Sequence, residues 1–339
     1  MADVRPPYLL FIGDVPDPLA AKMAQGVVDW RPEWALGQMR LPGCGADLGV
    51  PDMDIEAARA AGARTFVVGA VNAGGVLPDH WVQTIAAAAR AGLDVASGLH
   101  VRLASDPAIR DAAEGAGVRL IDLRVPTRTF DTGKGVPRGG RRLLAVGTDC
   151  SVGKKYAALA LERDMRAVGI DADFRATGQT GILIAGRGVA LDAVVADFIA
   201  GAAEWLTPEA PPDHWDVIEG QGSLFHPSFA GVTLGLLHGS QPDAFVVCHE
   251  PTRTTMRGVR TPLPSIAQVI EETVRLGRLT NPDIRPLGLC VNTAKLAEDE
   301  AGELLERLAG EHDLPACDPI RWGATPIVER LRAAYPSSA

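Results

Sequence analysis

One stretch of the sequence decides the fold, Arg142-Leu-Leu-Ala-Val-Gly147-Thr-Asp-Cys-Ser-Val-Gly153-Lys154-Lys155. It begins with an apolar run typical of a buried strand, and an amphipathic helical pattern starts at Lys154. A glycine-rich turn between a strand and a helix directs main-chain N–H groups at one point, where a phosphate is favoured. The stretch therefore predicts a phosphate-binding P-loop in an α/β domain. Its predicted cofactor-binding residues are Gly147, Thr148, Asp149, Cys150, Ser151, Val152, Gly153, Lys154 and Lys155.

The loop departs from the strict G-x-x-x-x-G-K-[ST] motif in two ways. Five residues separate Gly147 from Gly153, and Lys155 stands where the motif has Ser or Thr. In P-loop NTPases that hydroxyl is a ligand of the phosphate-bound Mg²⁺, and a lysine in its place repels the metal. We therefore expect phosphate binding without metal-assisted hydrolysis, and we predict no metal site. The alternative is a glycine-rich turn that binds no ligand.

Apolar runs alternate with helical stretches on both sides of the linker segment 131–140, which predicts two mainly parallel sheets. Because 339 residues exceed what one core usually organises, we expect two domains, residues 1–135 and 136–339. In the first domain the predicted strands are 8–12, 65–71, 93–96 and 118–123, and the predicted helices are 80–91 and 107–114. In the second domain the predicted strands are 142–147, 172–174, 215–219, 244–249, 287–292 and 316–320, and the predicted helices are 154–168, 265–276, 296–308 and one capped by Asp192.

Bulk composition excludes several classes of protein. With 47% hydrophobic and 22% charged residues the chain is globular, and its net charge of −9 argues against broad nucleic-acid binding. No segment approaches 18 uncharged apolar residues and the start lacks a signal-peptide pattern, so we expect no membrane association and a cytoplasmic location. The five cysteines are widely spaced and form no C-x-x-C pair, which predicts reduced thiols.

Further candidates lie at the ends of other predicted strands. Glu219 ends the strand at 215–219 and precedes a glycine turn, so it is expected to face the same crevice as Lys154. Alternatively, Glu219 only forms an ion pair with Lys154. Asn292 ends another strand, where P-loop proteins often place an asparagine against adenine, although a strand-end asparagine also commonly caps its own loop.

The ionisable residues after Glu219 form the remaining cluster, and none of them has metal-ligand spacing. His249 ends a predicted strand and Arg253 follows a Pro-Thr turn, which places both at the functional edge of the sheet. For each histidine a structural role is the alternative. The cluster comprises His226, His238, His249, Arg253 and Arg257.

Two long motifs follow in the second half, Glu219-Gly-Gln-Gly-Ser-Leu-x-His226-Pro and Gly231-Val-Thr-Leu-Gly-Leu-Leu-His238-Gly-Ser. With them, nearly the whole chain resembles the D-glutamate N-acetyltransferase family, formerly a domain of unknown function. The phosphate loop itself resembles that of dethiobiotin synthetases. The resemblance also includes Gly13-Asp14-Val-x-Asp17-Pro-Leu-Ala-Ala-Lys22, Trp30-Arg-Pro-Glu33, Leu41-Pro-Gly-Cys-x-Ala-Asp47-Leu-Gly and Ser97-Gly-Leu-His100-x-Arg102-Leu.

The resemblance implies an α/β fold in which a Rossmann-like parallel sheet is followed by a P-loop NTPase-like parallel sheet. It also implies transfer of the acetyl group of acetyl-CoA to the amine of D-glutamate, in D-amino-acid catabolism. Coenzyme A carries phosphates that need cationic donors but no hydrolytic Mg²⁺, which suits Lys154 and Lys155. Cys150 could accept the acetyl group covalently, but direct attack by the amine is favoured because no neighbouring histidine is evident in the sequence.

Acetyl transfer needs a base, donors for the thioester oxyanion and a clamp for carboxylates. The candidate bases are Glu219, His226 and His249. Main-chain N–H groups of residues 220–223 are expected to stabilise the oxyanion. The predicted substrate-binding residues are Gln221, Ser223, Arg253 and Arg257.

Two alternatives stay open. An ATP-dependent ligase resembling dethiobiotin synthetase would bind Mg-ATP and form ADP, and the missing loop hydroxyl counts against it. A non-catalytic nucleotide sensor would leave the ionisable cluster without a task. The expected partners are a small amino-acid substrate and other copies of the chain in a homo-oligomer.

Overall fold

The structure, a computed structural model, describes residues 2–70, 77–126 and 128–336. The chain divides into two compact units. The first contains Met1–Arg128 and Gly178–Ala193, and the second contains Thr129–Thr177 and Val194–Ala339. This division differs from the expected single boundary between residues 135 and 136, because the second unit begins earlier and one segment of the second half belongs to the first unit.

The secondary structure alternates between strands and helices along the described residues. The strands are β1 (Ala2–Asp3), β2 (Tyr8–Gly13), β3 (Ala35–Arg40), β4 (Thr65–Val68), β5 (Asp94–Ser97), β6 (Leu120–Asp122), β7 (Arg141–Gly147), β8 (Ala172–Arg175), β9 (Arg187–Gly188), β10 (Trp215–Ile218), β11 (Ala244–His249), β12 (Arg285–Val291) and β13 (Ala316–Cys317). The helices are α1 (Lys22–Trp30), α2 (Ile55–Ala60), α3 (Asp79–Arg90), α4 (Pro107–Ala116), α5 (Lys154–Ala167), α6 (Gln179–Ala185), α7 (Ile199–Leu206), α8 (Ala230–Ser240), α9 (Ile266–Gly277), α10 (Glu298–His312) and α11 (Thr325–Ala334).

The first unit is built on a five-stranded parallel sheet with the order β3-β2-β4-β5-β6. Its central strands are fully buried apolar runs, as expected of a parallel sheet. The edge strand β3 is absent from the predicted elements because polar Gln38 interrupts its apolar pattern. The Gln38 side chain is buried and hydrogen-bonds to Asp47 Oδ1, the Val50 carbonyl and the Leu48 amide, so it shapes the loop that follows β3.

Helix α6 explains why a segment of the second half belongs to the first unit. It packs against α1, and its Leu183 carbonyl accepts a hydrogen bond of 3.2 Å from the Tyr8 hydroxyl. The amide of Val4 donates to the carbonyl of Gly186, just after α6, and β1 pairs with β9. These contacts attach the segment to the start of the chain.

The second unit contains a six-stranded parallel sheet with the order β13-β12-β11-β7-β10-β8. Strand β7 lies between β10 and β11, so the strand order reverses at its carboxyl end. Ligands of open α/β sheets bind outside the carboxyl ends of strands at such a switch point. The two parallel-sheet α/β units confirm the predicted fold class.

Most predicted elements are present with shifts of a few residues at their ends, and the end of the strand predicted at 65–71 falls partly outside the described residues. Asp106 caps α4, because its side chain accepts from the amides of Ala108 and Ile109. The predicted Asp192 cap is wrong. Its carboxylate forms an ion pair with Arg124, and the chain continues in short 3₁₀ turns until α7 begins at Ile199.

All five cysteines are free thiols, as predicted. Cys248, Cys290 and Cys317 are paired side by side on β11, β12 and β13 and are buried in the sheet. No helix in the described part of the chain combines the length and apolar character that crossing a membrane requires.

Candidate functional site

The phosphate loop connects β7 to α5 at the centre of the second sheet. Gly147 ends the strand directly beneath the buried side chain of Val152, which folds the loop back over the strand end. Gly153 precedes the helix with φ +108°, a conformation that side-chain-bearing residues rarely adopt. Ser151 also has a positive φ, of 55°. This backbone lets the chain enter α5 with its N-terminal amides exposed.

The loop amides fall into two groups. The Thr148 amide donates to the Cys248 carbonyl and the Cys150 amide donates to Asp149 Oδ1, so both stabilise the loop itself. Within the described residues, no protein oxygen accepts from the amides of residues 151–154. Four adjacent donors at a helix N-terminus are therefore available to an anion.

Lys154 places a buried ammonium group under this loop. Its side chain is 7% exposed, and Nζ donates to the Asp149 carbonyl over 2.7 Å. Burial lowers the pKa of Lys154, because desolvation disfavours the charged form. The ammonium group has two further N–H donors for an anion. Lys155 has a different environment, since its Nζ lies 4.9 Å from the centre of the Tyr156 ring.

Asp149 joins the loop to the segment that follows β11. Its carboxylate is fully buried, with Oδ1 accepting from the Cys150 amide. Oδ2 accepts from Arg253 Nη1 at 2.9 Å and from the Arg257 amide at 2.8 Å. These three contacts use the carboxylate within the protein. We therefore assign Asp149 to holding the loop, rather than to direct contact with a cofactor.

Arg253 uses four of its five N–H groups on the same loop and on Glu250. Nη1 donates to Asp149 and to the Cys150 carbonyl, Nη2 donates to the Ser151 carbonyl, and Nε pairs with Glu250. Glu250 is itself buried and receives Lys295 and Thr252 as additional donors. Arg253 therefore clamps the loop, rather than a substrate carboxylate.

Arg257 remains available for a ligand. Its side chain is exposed, and only Nη1 has a protein partner, the Ser151 hydroxyl. Within the described residues, Nε and Nη2 have no acceptor. An Arg with two free donors beside a phosphate loop can take a carboxylate or a phosphate through a planar fork.

The two candidate histidines differ in what their ring nitrogens contact. In His226 the Nδ1 atom accepts from the Ser228 amide at 3.1 Å, so Nε2 carries the hydrogen and donates to the Arg257 carbonyl at 3.0 Å. The ring is 1% exposed and both nitrogens are used. His226 therefore stabilises the fold around Arg257 and is poorly placed to take a proton. His238 is similar, with Nε2 bound to the Leu276 carbonyl.

His249 has one nitrogen free. Its Nδ1 lies 3.1 Å from the Thr148 hydroxyl, whereas Nε2 has no hydrogen-bond partner among the described residues. Burial lowers the pKa of His249 below its usual range. The imidazole is therefore unprotonated at neutral pH, held at the end of β11 beside the phosphate loop, and able to accept a proton.

Glu219 and Gln221 contact the same neighbour. Glu219 is 5% exposed, and its Oε2 accepts from the Thr177 amide at 2.9 Å. The Thr177 hydroxyl donates to the Glu219 carbonyl and accepts from Gln221 Nε2. Lys154 forms no ion pair with Glu219, so the structure contradicts that alternative. Both side chains position Thr177, at the end of β8.

Ser223 is also engaged within the protein, because its hydroxyl donates to the Thr148 carbonyl over 3.3 Å. Main-chain donors nearby remain available. Across the described residues, no protein oxygen accepts from the amides of residues 221–223. The turn after β10 therefore offers N–H groups, rather than side chains, for a developing oxyanion.

Asn292 caps its own loop, and its contact with a nucleotide base stays a prediction. Its Oδ1 accepts from the Ala294 amide at 3.2 Å, the loop-capping contact. Its Cβ is the nearest neighbouring atom to a Cβ built on Gly153, at 3.9 Å, so the side chain also lies beside the phosphate loop.

Asp149, Cys150 and His226 place one potential ligand atom each within 4.8 Å of one another. The carboxylate and both ring nitrogens already have hydrogen-bond partners, and Arg253 supplies the cation beside them. The cluster therefore does not suit a metal ion. Burial raises the pKa of Cys150, which keeps its sulfur a thiol and a weak nucleophile even though a histidine is close.

The roles of Thr177 and Glu250 were not predicted. Glu250 directly follows β11, as Thr148 follows β7, and Thr177 lies two residues after the end of β8; that position is the signal in the sequence that could have identified them.

Comparison with known proteins identifies both units. Residues 39–126 match the domain of unknown function DUF1611_N, a Rossmann-like domain, and residues 130–328 match DUF1611_C, a P-loop domain. The chain is 52% identical to a D-glutamate N-acetyltransferase of Tritonibacter scottomollicae, over 97% of this chain and 99% of that protein. It is 50% identical to one of a Pseudoalteromonas species, over the same shares of both chains.

A solved structure agrees with this grouping. The crystal structure of a DUF1611 family protein from Anabaena variabilis superposes with a TM-score of 0.87 and 29% sequence identity, covering 97% of this chain and all of that one. Both the sequence and the fold therefore match over nearly the full length. The chain belongs to the D-glutamate N-acetyltransferase family and carries its two DUF1611 domains.

Proposed function

We propose that this protein is an N-acetyltransferase that moves the acetyl group of acetyl-CoA to the amine of D-glutamate. The observation that carries the proposal is the identity of 52% and 50%, over 97% of the chain, to two D-glutamate N-acetyltransferases. The site around the phosphate loop offers the groups that such a reaction needs.

The donors around the loop suit the phosphates of coenzyme A. The open amides of residues 151–154 and the Lys154 ammonium group can hold one phosphate, and the free edge of Arg257 can hold another. Lys155 stands where P-loop NTPases have a metal-binding hydroxyl. A coenzyme phosphate that only anchors the coenzyme needs no metal. Acetyl-CoA, when bound, supplies an activated acyl thioester.

His249 is the base that we propose. The substrate amine must lose a proton to attack, and the free Nε2 of an unprotonated imidazole can accept it. The Thr148 hydroxyl holds the ring through Nδ1, which fixes its orientation beside the loop. Glu219 is less suited, because its carboxylate accepts from the Thr177 amide.

The turn after β10 can supply the donors for the oxyanion, and Arg257 can supply the clamp for a carboxylate. Amides of residues 221–223 can donate to the oxyanion that forms when the thioester carbon becomes tetrahedral. Arg257 has no acceptor for Nε and Nη2 among the described residues, whereas Arg253 uses Nε, Nη1 and Nη2 within the protein, so we assign to Arg257 a carboxylate of D-glutamate or a coenzyme phosphate.

The proposal carries further expectations. Catalysis should not require a metal, since the loop lacks its metal-binding hydroxyl. We also propose a role in D-amino-acid catabolism, a cytoplasmic location and assembly as a homo-oligomer.

The test is an assay of purified protein with acetyl-CoA and either D- or L-glutamate, following release of the coenzyme thiol and the mass of the product. We expect release of the coenzyme thiol and formation of N-acetyl-D-glutamate. The rate should be undiminished when a metal chelator is added. A parallel reaction with Mg-ATP should form no ADP. Absence of thiol release above background with any amino acid would refute the proposal, and ADP formation would favour the ligase alternative.

A further inference from the structure

A second cavity, of about 440 Å³, lies in the first unit and is used by none of the groups assigned to acetyl transfer. Asp14 follows β2, Leu41 and Pro42 follow β3, and His80 lies in the first turn of α3. The cavity thus opens beyond the carboxyl ends of two parallel strands, where α/β sheets bind their ligands. Its volume lies in the range of about 300–1,000 Å³ that is typical of small-molecule sites.

The local backbone is built to present the Asp14 carboxylate. Gly13 has φ +57°, and a Cβ added there would lie 2.5 Å from the Trp81 ring, so only glycine fits. This close approach lets the buried Trp81 donate Nε1–H to Asp14 Oδ1 over 2.7 Å. His80 Nε2 lies 3.0 Å from Oδ2. The Trp81 hydrogen bond lowers the pKa of Asp14, so the group is ionised, and its side chain is 39% exposed.

The other polar side chains of the cavity are those of His80, Thr84 and Gln83, and the Gln83 amide offers both N–H donors and an acceptor oxygen. His80 uses Nε2 on the carboxylate, which leaves Nδ1 as its second ring nitrogen. The Thr84 hydroxyl donates to the His80 carbonyl, which leaves its oxygen as an acceptor. No lysine or arginine belongs to the described lining. An anionic ligand would therefore meet an ionised carboxylate with no compensating cation.

The remaining walls are apolar. Met39, Leu41, Pro42, Ile55 and Ala87 surround the polar end formed by Asp14 and His80. A ligand that fits must be rich in donors at one end and apolar along its body. We propose that this cavity binds a small protonated aliphatic amine, with its ammonium group on Asp14 and its chain against the apolar wall.

The test compares three probes of equal chain length but different charge, pentylammonium, 1-pentanol and pentanoate, by calorimetry on the full-length protein. We expect pentylammonium to bind about two- to fivefold more tightly than pentanol, the range for one partly exposed ion pair. Pentanoate should bind most weakly. Asp14→Asn removes the charge and should abolish the advantage of pentylammonium over pentanol. Asp79→Asn, with the same charge change on α3 but outside the cavity, should retain it.

A second variant keeps the test decisive if Asp14→Asn does not fold, because Asn weakens the contacts with Trp81 and His80. Ala87→Phe fills the cavity with an apolar ring and should abolish binding of both pentylammonium and pentanol. The proposal is overturned if no probe binds, if pentanoate binds as tightly as pentylammonium, or if Ala87→Phe leaves binding unchanged. Equal effects of the Asp14 and Asp79 substitutions would also overturn it. None of these outcomes depends on acetyl transfer.

Discussion

Replacing Lys154 with Met should weaken coenzyme binding strongly while changing stability little. Methionine keeps the length of the side chain but removes the ammonium group. Two unit charges about 4 Å apart interact by about 4 kcal/mol at an effective dielectric constant of about 20. Lys154 is 7% exposed, so bulk water screens it little, but the neighbouring guanidinium of Arg253 and the loop amides retain part of the attraction. We expect a loss of about 2–3 kcal/mol, which is about a 30- to 150-fold weaker Kd for coenzyme A.

The effect on folding should be small because two contributions oppose each other. Met leaves the Asp149 carbonyl without its 2.7 Å partner, which costs about 1–3 kcal/mol. It also removes the desolvation penalty that lowers the pKa of Lys154, and that penalty is several kcal/mol for a buried ion. The free energy of unfolding should therefore change by less than about 2 kcal/mol in either direction.

The measurements are titration calorimetry with coenzyme A and urea unfolding of the same preparations. Lys155→Met is the matched control, with the same charge change one residue away. Lys155 is half-buried with its ammonium near the Tyr156 ring, so we expect its substitution to weaken binding less than about fivefold. Unchanged affinity in Lys154→Met would show that the loop is not the phosphate site, and equal losses in both variants would contradict the specific role given to the buried ammonium group of Lys154.

Four further outcomes test the assignments around the loop. His249→Gln should lower kcat by about 10²–10⁴-fold and remove the acid limb of the pH profile of kcat. In the parent protein the midpoint of that limb should fall below 6.5, because burial lowers the pKa of His249. An unaltered profile would exclude His249 as the base. His226→Ala should cost about 2–4 kcal/mol of unfolding free energy, since two partners lose their hydrogen bonds, with little change in kcat of the folded fraction; a large fall in kcat would contradict this. Asp149→Asn should lower unfolding stability by about 2–4 kcal/mol in urea titrations, because it removes the buried carboxylate of the two that pair with Arg253 and leaves only Glu250. Arg257→Lys should raise KM for D-glutamate or acetyl-CoA about tenfold, and unchanged values for both would remove Arg257 from the site.

The pH dependence of stability follows from the same histidine. Its folded pKa lies below that of an unfolded chain, so the unfolded state binds a proton first as pH falls. His249 therefore contributes no pH dependence above about pH 7 and destabilises the fold progressively as the pH drops below its unfolded pKa of about 6.5. Replacement by Gln should flatten that part of the unfolding curve.

The phosphate loop could be predicted because its determinants are local. Apolar residues of β7, the two glycines and the helical pattern from Lys154 lie within one short stretch, and their spacing specifies both the elements and the direction of the free amides. The switch point at β7 then follows from the alternation of strands and helices. The phosphate loop and the switch point are therefore specified by residues that are close to one another in the sequence.

The attachment of α6 to the first unit could not be predicted for the opposite reason. Its Leu183 carbonyl is bound by a hydroxyl 175 residues earlier in the chain, and no local pattern of α6 indicates that partner. The same applies to Arg253, whose clamp on the loop joins residues 104 positions apart. From the sequence, Arg253 and Arg257 are equivalent cations near a strand end.

The histidines show why residue type and strand-end position did not suffice to choose a base. His249 ends β11 and His226 lies in the segment after β10 of the same sheet, but what decides their chemistry is which ring nitrogen is free. The Ser228 amide is two residues from His226 and could be anticipated as a turn contact, whereas the Arg257 carbonyl that occupies its other nitrogen depends on the fold of the segment after β11. That segment is itself fixed by Asp149, through the Arg257 amide. A single buried carboxylate thus holds the loop and helps to fix the carbonyl that occupies His226, which leaves His249 as the imidazole with an open nitrogen beside the anion site.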